Sequence, residues 1–490
     1  MMANFNTVKS RLTQQIDLVK ILVGILLFIG VLILNPFKMD AISVKVLAAA
    51  VLMIFWWISE AIPMPVVALV PLFLFPLMGI STVAETAAPY SNEVIFLFMG
   101  GFLIGLGIEK WNLHKRIALN IVAMTGTSGN KILLGFILST GFISMWLSNT
   151  ATTMMMYPIA ASVISVVFEM NEPEKSKKNF ALTMMLAIAY ASNFGGIATI
   201  IGTPPNVAYV TYISKKYQYD ISFFDWIIVA MPVAILLLIV LFFVLTIIFP
   251  NHLKKNHVFE DMITNDLKAL GPMSKPEKRV LLIFTLTALL WITRSLINQL
   301  HLIKLDDNMI AIFGAVLMFI VPSGNKHKPH ERILVWNDTT KMAWGILLLF
   351  GGGITLAAAL EKSGIIQLIG NGLSGNAGSS LFWMILIVSV VSIFLSEVMS
   401  NVAQVIVFAP VVTIIAELMG INPFLLGIPM TLAASCASML PMGTPPNAIV
   451  FSSGYIKISD MIKAGFIMNL VSILLIVLTT YFIVPLFMHL

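Results

Sequence analysis

From residue 21 to residue 488 the chain is a succession of apolar runs, many close to the ~20 residues an α-helix needs to cross the ~30 Å hydrocarbon core of a bilayer. Within hydrocarbon every backbone N–H and C=O must find its partner in the protein, so such runs fold only as helices or as strands of a closed barrel. They are continuously apolar rather than short and alternating, which excludes the barrel. Composition agrees: 59% of the 490 residues are hydrophobic and 11% charged, against roughly 25% charged in an ordinary soluble domain, and mean hydropathy is +0.96. The expected fold class is an all-α polytopic membrane protein, with the lipid bilayer as its first partner. A soluble enzyme, a disordered chain and a disulfide scaffold are excluded. The single cysteine, Cys436, makes neither an intrachain disulfide nor a cysteine-based metal site. A net charge of +6 does not point to nucleic acid, because the basic residues gather in loops, where they orient helices.

Eleven spans are expected: Ile21–Leu34, then segments near 44–58, 62–80, 94–108, 180–212, 222–249, 279–298, 308–322, 342–360, 423–455 and 464–488. The run ahead of the first carries Lys9, Arg11 and Lys20 like a signal peptide, but Asn35-Pro36-Phe37 follows instead of a small-residue cleavage site, so it reads as a transmembrane helix. Two further regions, 131–170 and 380–419, each hold about 40 apolar residues with a polar triplet in the middle. Their arms of about 16–19 residues, at ~1.5 Å per residue, fall short of ~30 Å, so each is expected to be a re-entrant hairpin. The chain then divides into an N-terminal helix (1–43), a first repeat (44–250), a cytoplasmic linker (251–278) and a second repeat (279–490).

Charge sets the orientation. With the N-terminus cytoplasmic, eleven spans put four basic clusters inside: Lys110, Lys115 and Arg116; Lys175, Lys177 and Lys178; Lys254, Lys255, Lys268, Lys275, Lys278 and Arg279; and Lys326, Lys328, Arg332 and Lys341. Loops 81–93, 371–380 and 420–422 carry no Lys or Arg and fall outside, with the C-terminus. The expected location is the cell membrane. Residues 109–124 read as an interfacial amphipathic helix, with Leu113, Ile117, Ile121 and Met124 opposite Lys110, His114, Lys115 and Asn120, which makes His114 a surface residue.

The chain repeats itself. Phe98-Met-Gly-Gly101 and Glu109-Lys110 return as Phe350-Gly-Gly-Gly353 and Glu361-Lys362 at a shift of 252, which also carries Ser144 onto Ser396 and Ser148-Asn149 onto Ser400-Asn401. At a shift of 241, Gly202-Thr-Pro-Pro-Asn206 returns as Gly443-Thr-Pro-Pro-Asn447. Each half holds five spans and a hairpin, and an odd number inserts the halves in opposite orientations. Inverted repeats are a transporter architecture, with the site where the halves meet.

Ser148-Asn149-Thr150 and Ser400-Asn401-Val402 stand at the hairpin tips, where a helix begins with unpaired amides. As plain N-caps they satisfy those amides themselves; as a binding site they present N–H groups, hydroxyls and a positive dipole end to an anion. In the two Gly-Thr-Pro-Pro-Asn segments the prolines break the helix and the glycine permits an unusual backbone. The unwound stretch frees carbonyls for a monovalent cation and starts a half-helix that can face an anion. No Lys or Arg lies in these motifs, so an anion would be held by dipoles, amides and hydroxyls. Glu397 either tunes a cation site or hydrogen-bonds backbone near the hairpin; Arg294 and Glu60 read as interfacial anchors. No nucleotide-binding loop, zinc-protease motif or nucleophile elbow appears, so neither an enzyme nor an ATP-driven pump is indicated.

The paired Ser-Asn tips, the paired Gly-Thr-Pro-Pro loops and Trp56-Trp57-Ile-Ser-Glu-Ala-Ile-Pro-Met-Pro65 resemble the divalent anion/sodium symporter family over nearly the whole chain. The resemblance implies a homodimer whose protomers each carry a scaffold and a transport domain that slides like an elevator. It implies small carboxylate substrates such as succinate, malate, fumarate, 2-oxoglutarate and citrate, moved by sodium symport or by exchange, and no cofactor beyond sodium ions. Carried over by position, Ser148, Asn149, Thr150, Ser400, Asn401, Val402, Thr444 and Pro445 would hold substrate. Ser144, Ser148, Asn149 and Gly202 would form one sodium site, and Ser396, Asn401 and Gly443 a second. Val402 departs from a symmetric site, which would have Thr, and Met399 precedes the second triplet; both favour exchange. The competing readings are a transporter of another anion, such as citrate, sulfate or arsenite, and, in another class, an ion channel or membrane sensor.

Overall fold

The computed structural model describes residues 2–126, 128–251, 253, 257–301, 303–325, 330–365 and 380–487, the backbone alone for 2–17 and 257–263. Residues 371–379 of the expected external loop, Lys254, Lys255, Lys326, Lys328 and the C-terminal residues 488–490 lie outside the described residues. Among the described residues the structure is helical apart from one isolated bridge, Pro322–Arg332. The helices are α1 (Met2–Leu34), α2 (Ala41–Ser59), α3 (Met64–Val67), α4 (Val70–Met78), α5 (Val83–Ala87), α6 (Glu93–Lys110), α7 (Leu113–Thr125), α8 (Gly129–Ser144), α9 (Asn149–Glu169), α10 (Glu174–Gly196) and α11 (Pro204–Tyr217). There follow α12 (Phe223–Ile248), α13 (His257–Leu270), α14 (Lys275–Gln299), α15 (Asp307–Ile320), α16 (Trp344–Lys362), α17 (Leu381–Ser396), α18 (Asn401–Leu418), α19 (Phe424–Ala434), α20 (Pro445–Phe451), α21 (Ile458–Phe482) and α22 (Val484–Phe487).

Polar residues between the runs start these helices. Asp40 accepts from Ile42 N and Ser43 N at the head of α2, and capping boxes Ser222/Asp225 and Ser274/Glu277 open α12 and α14. Among the described residues seven helices are long and apolar enough to cross a membrane, or eight if 83–91 and 93–110, bent by 40°, form one span. Two of the seven, α9 and α18, are hairpin arms; of the expected spans, the apolar part of α1 (Leu18–Leu34), the stretch Met64–Met78, α15 and the broken helices α10/α11 and α19/α20 fall outside the count, and α6 enters only with the bent pair.

The duplication reappears in the packing. In each half the first hairpin arm lies on the first part of the broken helix (α8 on α10, α17 on α19), and the second arm lies on the half-helix of the other repeat (α9 on α20, α18 on α11). α10 from Phe180 to Gly196 and all of α19 are buried on every side, the mark of helices at the centre of a bundle. Close approach there needs glycine: a Cβ on Gly195 would stand 2.2 Å from the Gly141 carbonyl oxygen.

Three expectations change. The hairpin arms run to 16, 21, 16 and 18 residues, so α9 reaches ~30 Å at ~1.5 Å per residue, and arm length does not distinguish a re-entrant hairpin from two crossings. The helix expected at 109–124 is two elements, because Asn112 adopts a left-handed conformation (φ 57°) and resets the phase. The buried face of α7 is therefore Leu113, His114, Ala118, Leu119 and Val122, whereas Met124 is exposed. His114 is not a surface residue: it is 8% exposed, its Nδ1 lies 3.3 Å from the Ile108 carbonyl, and burial lowers its pKa. The linker is also more ordered than a plain loop. It contains α13, and Arg116 of α7 holds it by the carbonyls of Leu270 and Gly271 and by both Glu277 oxygens, at 2.7–3.3 Å.

Candidate substrate and cation site

The two hairpin tips are built alike. A helix ends on a serine, four residues intervene, and a new helix starts on an asparagine: Ser144 to Asn149 in the first half, Ser396 to Asn401 in the second. Ser148 caps α9 by accepting from Ala151 N at 3.3 Å, as a plain N-cap would. Ser400 holds the same place before α18 without a side-chain cap bond. Thr150 and Val402 follow, both half-buried.

At the first tip, Ser144 Oγ, Ser192 O and Gly202 O surround one end of the Asn149 amide at 2.9, 3.0 and 3.3 Å. With its nitrogen toward them the amide donates to all three. With its oxygen toward them Ser144 donates to Oδ1, Nδ2 reaches Asn193 Oδ1 at 3.5 Å, and four oxygens converge around one hydroxyl proton. That second arrangement is the chemistry a monovalent cation satisfies, with carbonyls freed by an unwound helix. Gly196 makes the approach of loop to tip feasible, since a Cβ there would lie 2.1 Å from the Asn149 amide oxygen. The loop is fastened by Asn206, whose Nδ2 donates to the carbonyls of Gly196, Ile197 and Thr199 at 3.5, 3.2 and 2.8 Å, and by Thr199, whose hydroxyl donates to Met145 O at 2.5 Å.

At the second tip Ser396 Oγ stands 2.6 Å from Asn401 Oδ1 and 2.5 Å from Ala434 O, again one proton between two acceptors. Asn447 repeats the loop clamp position for position, with Nδ2 donating to Ala437 O at 3.3 Å and Leu440 O at 3.1 Å. Glu397 is 3% exposed, and of its two expected roles the structure shows the backbone one. Its carboxylate accepts from Ser438 N, Met439 N and Leu440 N at 2.8, 2.8 and 2.9 Å and from Asn469 Nδ2 at 2.7 Å. A Cβ on Gly443 would come within 2.9 Å of Glu397 Oε2. Thr444 caps α20 and Pro445 follows as its exposed first residue.

Asn193 joins the two centres: its Nδ2 donates to Thr444 Oγ1 at 3.0 Å and Asn447 Oδ1 at 3.4 Å. With the Asn149 oxygen toward Ser144, a chain Ser144–Asn149–Asn193–Thr444 runs from the tip of one half to the loop of the other. Asn193, Ser192, Thr199 and Asn469 were not among the residues picked from sequence. At a shift of 241, Asn193 falls on Ala434 and Ser192 on Ala433, so the repeat conceals them. The usable signal was a fully buried Asn in an apolar helix, expensive at that depth without partners. Arg294 and Glu60, read as anchors, lie apart from this site: Glu60 is an exposed left-handed C-cap of α2, and Arg294 pairs with Asp220 and Asp307 at 3.0 and 3.1 Å.

Residues 12–489 match the family model described as the sodium:sulfate symporter transmembrane region. Among curated proteins, the chain is 40% identical over 477 residues to the sodium-dependent dicarboxylate transporter SdcS of Staphylococcus saprophyticus, covering 96% of this chain and 92% of that one. It is 39% identical over 476 residues to the SdcS of Staphylococcus aureus strain USA300, covering 96% and 91%. Among solved structures, the YdaH transporter of Alcanivorax borkumensis matches with a TM-score of 0.53 at 14% identity, over 82% of this chain and 87% of that one, a likeness of fold.

Proposed function

Because the chain belongs to the sodium:sulfate symporter family, a family of membrane transporters, we propose that it is a secondary active transporter that carries small dicarboxylates such as succinate, malate, fumarate and 2-oxoglutarate together with sodium ions. The observation that carries this reading is the pair of oxygen-lined centres at the hairpin tips, with no Lys or Arg among their residues. A dianion held only by amides, hydroxyls and helix N-termini needs cations beside it to be neutralised on the way across the membrane, and these centres are positioned to bind them. Relatives named as sodium-dependent dicarboxylate transporters support the pairing of ion and substrate.

In this reading Ser148, Asn149, Thr150, Ser400, Asn401, Val402 and the start of α20 at Thr444 and Pro445 contact substrate. Ser144, Ser148, Asn149 and Gly202 hold one sodium ion, and Ser396, Asn401 and Gly443 a second. The chain crosses the plasma membrane eleven times, N-terminus inside and C-terminus outside, with the repeats inverted and the hairpins entering from opposite faces. Two copies pair, and the hairpins with the broken helices move as one body against the remaining helices, as an elevator.

Exchange of internal for external dicarboxylate is the second reading, favoured by Met399 and Val402 beside the second centre. Liposomes reconstituted with the protein separate the two. Labelled succinate should enter vesicles that carry an inward sodium gradient and no internal substrate. Uptake confined to vesicles preloaded with dicarboxylate and free of sodium would sink symport and leave exchange.

A further inference from the structure

A cavity of about 270 Å³ lies between α11, α16 and α18, away from the tip residues, and its charged rim has no part in the site above. Its rim carries Lys215, Lys216 and Lys362 against a single lining carboxylate, Glu361. Lys216 is committed: it is 11% exposed and bonds Glu361 at 3.3 Å and Glu417 at 3.2 Å. Lys215 and Lys362 have no ion pair within 4.0 Å among the described residues, with Glu361 near the first and Glu85 near the second beyond that distance, so neither cationic head has a direct partner. Tyr212 lines the wall at 9% exposure. Its hydroxyl lies beside that of Thr413, within reach of a hydrogen bond between the two. The floor is apolar, formed by Phe350, Ile354 and Ile406. The volume lies just below the ~300–1,000 Å³ typical of drug-sized sites, which is metabolite scale.

Two cations without an ion-pair partner and an apolar floor match a small molecule with two carboxylates on a short hydrocarbon body. We infer that this cavity is a second anion site, a vestibule that takes up a dicarboxylate before it reaches the hairpin tips. Its position fits. Ala208, at the inner wall, is four residues from Pro204, ~6 Å along the helix at ~1.5 Å per residue. The lysines stand at the other end of α11, on the external side in the proposed topology. That side should be poor in basic residues if they served only to orient the chain, so three lysines around one cavity there call for another role. A cleft lined by one sign of charge raises local anion concentration and association rates by roughly 10–10³-fold. The choice of a dicarboxylate rests on the transport reading; the anionic character of the ligand rests on the lysines.

The test uses the full-length protein with Ala358→Cys, a cavity position, since the native Cys436 is fully buried. A sulfonate-bearing thiol reagent should modify it about tenfold faster than its trimethylammonium counterpart, each normalised to its reaction with free thiol. That ratio should fall to near one in Lys215→Gln/Lys362→Gln. Succinate should slow the modification, and should still do so when Asn149→Ala and Asn401→Ala have disabled the tips. Equal rates for the two reagents, or protection that vanishes with the tips, would overturn the vestibule. Protection by succinate in a protein that moves no succinate would overturn the transport reading and leave the vestibule standing. As a check independent of the labelled position, the succinate KM of the wild type should rise with salt and that of Lys215→Gln/Lys362→Gln should not; parallel salt dependence would count against the site.

Discussion

After Ser144 the first tip has Met145, an apolar side chain whose backbone carbonyl receives the Thr199 hydroxyl. After Ser396 the second tip has Glu397, whose carboxylate gathers three consecutive backbone amides and the Asn469 side chain. In both halves an asparagine at the same place, Asn206 or Asn447, ties the loop by carbonyls ten and seven residues back. The duplicated part is therefore the clamp, and the part that has diverged is the fastening between loop and tip. The first loop is held by neutral groups and leaves Gly202 O and, just before it, Ser192 O toward the tip. The second is held by the Glu397 carboxylate, which stays beside Gly443. On the proposed reading the two centres would draw a cation by different means, carbonyl geometry in the first and a nearby carboxylate in the second.

The largest break in that comparison should come from the fastening. Glu397→Ala strands the backbone N–H groups of Met439 and Leu440 and the Asn469 amide, each at ~1–3 kcal/mol, and leaves Ser438 N only its 3.2 Å bond to Asn469 Oδ1. The expected outcome is a protein that melts far below the wild type or fails to purify as a folded species. Met145→Leu, the matching change in the first half, keeps the carbonyl that Thr199 uses and should cost under about 1.5 kcal/mol. Thermal melting of both in detergent decides it: comparable tolerance would mean that Glu397 does not hold the second loop.

Next in size is the pair Asn149→Ala and Asn401→Ala. Each removes an amide that can donate to a carboxylate, at ~1.5–3 kcal/mol or about ten- to a hundredfold in succinate affinity. The sodium dependence should separate them. The first centre loses an oxygen ligand with no charge in reserve, whereas the second keeps Glu397 nearby. Half-activation by sodium should therefore shift further in Asn149→Ala than in Asn401→Ala. Sodium-activation curves with equal shifts would remove the proposed division between geometry and charge, and unchanged succinate affinity in both would reduce the triplets to helix caps.

The doubled motifs made the tips and loops legible in sequence, because each copy vouched for the other. What the copies do not share stayed hidden. Asn193, the link between the halves, stands where the second repeat has Ala434. Ser192 and Gly202 contribute backbone carbonyls, and carbonyls leave no trace in side-chain identity. Glu397 drew notice for its charge, but its partners sit some 41 to 72 residues further on, beyond any local pattern. The face of α7 was misread for a different reason: Asn112, left-handed, cuts the helical register between Lys110 and Leu113, so a period counted from residue 109 turned His114 outward. The span boundaries, by contrast, were set by hydrophobic length, and for most spans the helices start and stop within a few residues of the expected limits.

The smallest effect should come from the one position where the triplets differ. Thr150 and Val402 are equivalent and half-buried, and Val402→Thr exchanges a methyl for a hydroxyl on the same branched frame. At a half-buried position the hydroxyl keeps part of its water, so the change costs little unless substrate covers it. If a dicarboxylate lies across both tips, the new hydroxyl gains a net hydrogen bond of ~0.5–1.5 kcal/mol, up to about tenfold in KM. Thr150→Val should lose a similar amount. Because the two positions lie on different hairpins, their effects should add, and Thr150→Val/Val402→Thr should return close to the wild-type KM for succinate. A loss at Thr150 with no gain at Val402 would show that only the first tip grips a carboxylate. The second would then be a cation centre in the main, with Met399 and Val402 closing it to the anion, and the asymmetry between the halves would extend from how the loops are fastened to what each half binds.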